Sequence, residues 1–225
     1  MASILLQNNE IKDASFVVKE GENLSLRLAA FSDLKDCKIE VHVEKEGVFD
    51  CAFADFSNGD GKIKIEVFLE GERASSAIRV ASLAKGESKK TFEPSIHHVV
   101  GHTEGLVESY GICEEKARLV FTGVSSIGKG ASKSITRQSA KIIVFDPSCL
   151  GRCSPILKID ENDVQASHAA VVGKLNDEHL FYLLSRGLDI VAARKLITQG
   201  YLIPIANYFD EEQKTAIMEA IEARL

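Results

Sequence analysis

Residues 163–187 read DVQASHAAVVGKLNDEHLFYLLSRG, and the pattern changes partway from extended to helical. Ahead of Leu175 small and β-branched residues follow one another as in a strand. Beyond it, Asn176 is the expected N-cap, Asp177 and Glu178 favour the positive helix end, and Gly187 is the left-handed stop. Leu180, Leu183 and Leu184 form an inward stripe, while Phe181 and Tyr182 extend onto other faces. His168 stands just before this helix, an arrangement that suggests a ligand site coupled to a docking surface.

Outward from this stretch, the chain from Ser15 to about Val172 repeats short runs parted by Gly, Asn, Asp and Ser. FVVKEG, LSLRLAAF, KIEVHVEK, KIKIEVFLEG, SAIRVASL, ARLVFTG, KIIVFD and ILKIDENDV read as short strands with tight turns. Lys62-Ile63-Lys64-Ile65-Glu66-Val67 alternates strictly, so each strand is expected to have one buried and one wet face. Sandwich, barrel and solenoid all fit an all-β body without a strict period. Toward the C-terminus Asp189 caps a second helix through about Gln199. Asp210 starts a third, with Gln213 three residues on and Ile217, Ala220, Ile221 and Leu225 as its apolar stripe. The expected division is a β domain at 1–174 and a small α-helical bundle at 175–225.

The 225 residues are 45% hydrophobic and 27% charged, the composition of an ordinary globular protein. A net charge of -6 without any basic run argues against a nucleic-acid binder. MASILLQNNEIKD has neither a basic leader nor a long apolar core, so a membrane span is not expected and a cytoplasmic location is. Five cysteines, an odd number, point to free thiols.

Several constellations invite a chemical reading. Gly123-Val-Ser-Ser-Ile-Gly128-Lys129-Gly130 nearly matches a phosphate-binding loop, but Gly130 takes the hydroxyl position and ASKSITRQSAKIIVF follows as turn and strand; a glycine-rich turn is expected. His97, His98 and His102 lack a carboxylate or thiol in ligand spacing, and on a strand 98 and 102 would share a face while 97 points away. Turn or interface histidines are expected there. Ser167 and His168, adjacent on a strand, face opposite ways, and no G-x-S-x-G motif is present. Cys149 and Cys153 form a C-x-x-x-C pair in the turn-rich DPSCLGRCSP, and thiolates are the preferred ligands of iron–sulfur clusters.

Asp163, Val164, Ala166, Ser167, His168, Ala170, Val172 and Gly173, followed by Leu180-Phe181-Tyr182-Leu183 and Ser185-Arg186-Gly187, stand in an order that resembles the C-terminal region of the SufB/SufD family of iron–sulfur cluster assembly scaffolds. Gly111, Ala117, Phe121, Gly123, Gln138 and Pro155 extend the likeness upstream over roughly the C-terminal half. Residues before about Glu93 share only a β-rich character. Ala169 departs from the pattern, where SufD-like members have Gly and SufB-like members Glu. Cys149 matches a SufB-like cysteine position, but a second SufB-like cysteine falls near Ser139 or Ala140, where no thiol stands, so the chain is more SufD-like. Members of the family run nearly twice as long and carry an N-terminal helical region.

The resemblance implies a mainly β protein, a right-handed parallel β-helix with a small C-terminal helical bundle, acting as a non-enzymatic scaffold. It implies a transient, nascent iron–sulfur cluster held by His168, with Cys149 and Cys153 in a lesser role. It implies docking of a SufC-type ATPase through Phe181, Tyr182 and Arg186, ATP being used by that partner alone, and a dimer with itself or a SufB-like paralogue. No nucleic acid or membrane partner is implied. Cys113 reads as a small buried hydrophobe, and Cys37 and Cys51 carry no assignment. A second reading is an interaction module that binds the ATPase without building clusters. A β-helical carbohydrate enzyme would need paired carboxylates, which the sequence does not present.

Overall fold

Ile63, Ile65, Val67 and Leu69 point one way along a strand, Gly61–Leu69, and all four are buried while Lys62 is exposed. Such a face needs a second sheet to cover it. A computed structural model, which describes residues 2–175 and 177–225, supplies that cover by winding the chain into a parallel β-helix of about six turns.

One sheet runs in the order β1 (Ala2–Gln7), β3 (Asn23–Ala30), β5 (Val48–Asp55), β7 (Ser75–Ala84), β9 (Glu104–Cys113), β12 (Ile135–Val144) and β15 (Gln165–Lys174). The facing sheet stacks β2 (Ala14–Val18), β4 (Cys37–Val43), β6 (Gly61–Leu69) and β8 (Lys89–His98). It continues through the pairs β10 (Arg118–Phe121) with β11 (Val124–Ile127) and β13 (Leu150–Cys153) with β14 (Ile156–Ile159). Every pairing among these strands is parallel, each strand lying on its counterpart one coil earlier.

One inward column of the first sheet runs Leu26, Cys51, Ile78, Val107, Gln138, His168. Read off that column, successive coils take 25, 27, 29, 31 and 30 residues. This drift is why no fixed repeat shows in the sequence. The coils keep step through their turns: Gly21, Glu46, Arg73, His102 and Lys133 each adopt a left-handed backbone, at φ 69°, 57°, 61°, 58° and 59°, two residues before the next strand of the first sheet. His102 is thus a turn residue. Carboxylates tie neighbouring coils together, Asp13, Asp36 and Asp60 each accepting from the backbone N–H of Lys38, Lys62 and Lys89 at 2.7–2.8 Å.

Pro94 lies inside β8, where it has no N–H to donate. The next coil is interrupted at that register: Phe121 pairs with Phe92 and Val124 with Ser95, which leaves Gly123 beside Pro94, and one coil further Pro155 stands beside Gly123. A kink in the second sheet therefore accommodates both prolines. The phosphate-loop likeness ends here too, since Gly123 leads into strand β11 and Gly130, at φ 89°, into a turn, with no helix to meet an anion.

Inside, Phe53 meets Phe92 edge-on at 5.5 Å and Phe92 meets Phe121 at 5.8 Å. A charged corner adjoins this core. Lys90 Nζ donates to Asp55 Oδ2 at 2.8 Å, to Ser57 O at 2.8 Å and to Leu83 O at 3.0 Å. Asp55 in turn accepts from the hydroxyls of Ser57 and Ser82, each at 2.6 Å. Neither Lys90 nor Asp55 has any side-chain exposure. Burial pulls the Lys90 ammonium below its ordinary pKa, and Asp55 opposes that pull.

The helical tail comprises α1 (Asp177–Ser185), α2 (Ile190–Leu202), a 3-10 turn at Ile203–Tyr208 and α3 (Glu211–Arg224). Asp189 caps α2 by accepting from Ala192 N at 2.8 Å, and Asp210 caps α3 by accepting from Gln213 N at 2.9 Å. Gly187 ends α1 at φ 90°. The expected cap Asn176 lies outside the described residues. The tail leaves the end of the helix uncovered and lies along its flank, packing Leu202, Ile205, Phe209, Ile217 and Ile221 onto Ala29, Ala52, Ala54, Ala81 and Leu83 of the first sheet. Each large side chain so buried contributes about 1.5–3 kcal/mol. Outward alanines let the helices approach, so the expectation of one wet face per strand fails here: β5 and β7 are buried on both faces in their C-terminal halves.

Candidate functional site: the open end of the solenoid

Among the described residues, β15 pairs with β12 and with no other strand. Every residue of it except Gly173 is exposed, including Val171 at 52% and Val172 at 43%. A ten-residue edge with apolar side chains and unpaired backbone groups is a template for another chain. On its inner side β13 approaches so tightly that a Cβ on Gly151 would meet Val172 Cγ1 at 3.2 Å.

His168 extends the inward column one coil past Gln138, and its ring is exposed because no further coil follows. The column is apolar through Val107 and then turns polar. Gln138 Nε2 donates to Ser125 Oγ at 2.6 Å and to Ile156 O at 3.1 Å, while its buried Oε1 has no partner. Thr136 Oγ1 donates to the same Ser125 hydroxyl at 3.0 Å. In the sequence Gln138 stands out only as a family-like position; its place as the polar floor beneath His168 follows from the register.

Cys149 directly precedes β13 and Cys153 ends it, both partly buried against the core. The Cys149 thiol donates to Cys113 O at 3.1 Å and the Cys113 thiol to Ala117 O at 3.2 Å. Burial raises all three thiol pKa values, Cys153 to about 11 and Cys113 to about 12. They are thiols near neutrality, and a metal must displace their protons. All five cysteines are free, and Cys37 and Cys51 belong to the same core cluster as Cys113. Among the described residues, no three His, Cys, Asp or Glu side chains converge on one metal position. His168, Cys149 and Cys153 thus belong to the last strands at one end without forming a closed ligand set in a single chain.

α1 projects beside this end. Phe181 is 73% exposed and Tyr182 55%, and the Arg186 guanidinium lies 5.2 Å from the Tyr182 ring centre. Leu180 and Leu183 are partly covered, but Leu184 is exposed, which narrows the expected inward stripe. No described helix is long and apolar enough to cross a membrane.

The histidines upstream have separate surroundings. His98 is buried with Nδ1 at 2.7 Å from Thr103 Oγ1, and burial pushes its pKa down to about 4. His97 hydrogen-bonds Ser126 Oγ at 2.7 Å on the outer face and stacks on Phe68 at 4.8 Å. His42 stacks on that same Phe68 at 5.1 Å, an aromatic ladder that only the coil register reveals.

Residues 32–201 match the family described as SUF system FeS cluster assembly, SufBD core domain. The chain is 29% identical to the iron–sulfur cluster assembly protein SufD of Bacillus subtilis over 95% of its own length and 52% of that protein's. It is 28% identical to SufD of Escherichia coli over 70% of this chain and 37% of that protein. With SufB of Bacillus subtilis it shares 25% identity over 60% of this chain and 29% of that protein. The likeness therefore reaches well ahead of Glu93, and the chain spans about half the length, or less, of these relatives.

Proposed function

The chain belongs to the SUF-system SufBD family of iron–sulfur cluster assembly proteins, and from that premise we propose that it is a cytoplasmic, non-catalytic scaffold on which a nascent cluster is put together as cargo. In this reading residues 1–174 form the scaffold domain and 175–225 the docking domain. β15 is the seam where a second copy, or a SufB-like paralogue, completes the ligand set. His168 supplies an imidazole, with Cys149 and Cys153 in a secondary role, and Phe181, Tyr182 and Arg186 hold a SufC-type ATPase. ATP enters only through that partner, whose movements pull on α1 and open the seam.

One observation carries the reading: His168 projects from an exposed ten-residue edge strand, at the end of a column that turns polar just beneath it. A donor in that position is half of a site whose other half must come from the chain across the edge. Anaerobic reconstitution with iron and sulfide tests it. His168→Ala is expected to lose the bound chromophore while its melting temperature and ATPase binding stay unchanged; an unaltered cluster yield would remove His168 from the site. Phe181→Ala with Tyr182→Ala is expected to abolish co-elution with the ATPase and to spare folding.

The packing of Cys149 and Cys153 against the core, with the Cys149 thiol donating to the Cys113 carbonyl, favours a second reading, an interaction module that binds the ATPase and builds nothing. In that case no chromophore forms on the wild-type protein, although ATPase binding persists.

A further inference from the structure

Between the outer face of the first sheet and the helical tail lies a cleft of about 860 Å³, open on one side and mainly apolar. Its floor comes from β7, β9, β12 and β15, and its roof from α2 and the 3-10 turn. Pockets of this size, between packed elements and with a few polar groups, are the usual form of small-molecule sites.

Two glycines line it, one on the sheet side and one on the helix side. Gly173, in β15, and Gly200, in α2, both line the cleft, and a Cβ on either would meet no atom within 4 Å. Neither has the left-handed backbone that would demand glycine. Glycine is unfavourable inside both strand and helix, and where packing does not require it, it marks the close approach of something else. The charge in the cleft is one-sided. Arg79 is matched by Asp50 at 2.6 Å and Glu108 at 3.2 Å. Lys141 bonds only the hydroxyl of Tyr201, whose ring centre is 4.6 Å away, and neither Lys141 nor Lys174 forms an ion pair among the described residues.

We propose that this cleft binds a small, flat, largely apolar molecule with one anionic group, its body filling the space left open at Gly173 and at Gly200 and its charge against Lys141. Tyr110, beside Lys141 in register, and Tyr201 give it aromatic walls. The site shares β15 with the proposed seam, but binding there does not depend on cluster assembly.

Fluorescence titration with 1-anilinonaphthalene-8-sulfonate, alongside its uncharged analogue N-phenyl-1-naphthylamine, tests the site on the full chain. The sulfonate is expected to bind saturably at one equivalent and at least tenfold more tightly than the analogue. Gly200→Leu, which fills the cleft and favours the helix, is expected to weaken it more than tenfold, and Lys141→Gln to bring it to the level of the analogue. Gly173→Val gives the same loss from the sheet side should the helical variant melt early. No saturable binding, equal affinity for the two probes, or undiminished binding in both folded glycine variants would overturn the proposal.

Discussion

Replacing Lys90 with methionine keeps an unbranched side chain and removes one buried charge. Lys90 Nζ has Asp55 at 2.8 Å and two backbone carbonyls within 3.0 Å, and both members of the pair are sealed from solvent. After the change Asp55 keeps the two serine hydroxyls but loses its counter-charge, and the carbonyls of Ser57 and Leu83 lose a donor. Breaking one side of a buried pair costs about 3–5 kcal/mol. For a chain of this size each kcal/mol lowers the melting temperature by about 2–4 °C, so a fall on the order of 10 °C is expected. Urea unfolding followed by circular dichroism gives the free energy directly. The double variant Lys90→Met with Asp55→Asn removes both charges and is expected to recover at least half of the loss, because the residues share one network. A single-variant loss below about 1 kcal/mol, or a double variant equal to the sum of its parts, would refute the view that the pair holds this corner as a unit.

His98 makes stability depend on pH in a defined direction. Its folded pKa of about 4 lies below the 6.5 of the free side chain, so its contribution is complete above pH 6.5 and is lost as pH falls from there to about 4. The loss is about 3 kcal/mol, and His98→Gln is expected to flatten the urea midpoint over that range; a profile unaltered by the substitution would contradict the assignment. Gly111→Ala places a methyl 2.4 Å from Leu119 Cδ2 and 3.0 Å from Phe121 Cε2, and overpacking of this kind is expected to cost about 1–3 kcal/mol in thermal or urea melts. Iodoacetamide at neutral pH is expected to modify Cys149 and Cys153 before Cys37, Cys51 and Cys113, which are buried; mass spectrometry of the time course reads the order, and prompt labelling of Cys113 would contradict the packing.

Where one face met solvent, the sequence declared its strands plainly, as in Lys62–Val67. β5 escaped notice because its outward alanines, Ala52 and Ala54, lie beneath the helical tail, which erases the alternation. β8 escaped because Pro94 argues against a central strand unless the neighbouring coil is known to break at Gly123. The solenoid itself came only from the family likeness, since coils that lengthen from 25 to 31 residues leave no period to detect. The motif around His168 drew attention to the strand that proves to be the exposed edge, and Asp189 and Asp210 were legible through helix-cap chemistry. The polar floor at Gln138, the contact of Cys149 with the Cys113 carbonyl, and the lining of the cleft join residues far apart in the chain, and only the stacking of coils and the docking of the helical tail bring them together.

Hydrogen exchange along Gln165–Lys174, measured by mass spectrometry on the free chain and on its assembled dimer or complex with a SufB-like partner, tests the proposed seam most directly. The account predicts that the amides of β15 facing away from β12 exchange freely when the chain is alone and become protected on assembly. Assembly that leaves those amides unprotected would place the interface elsewhere and take His168 out of it.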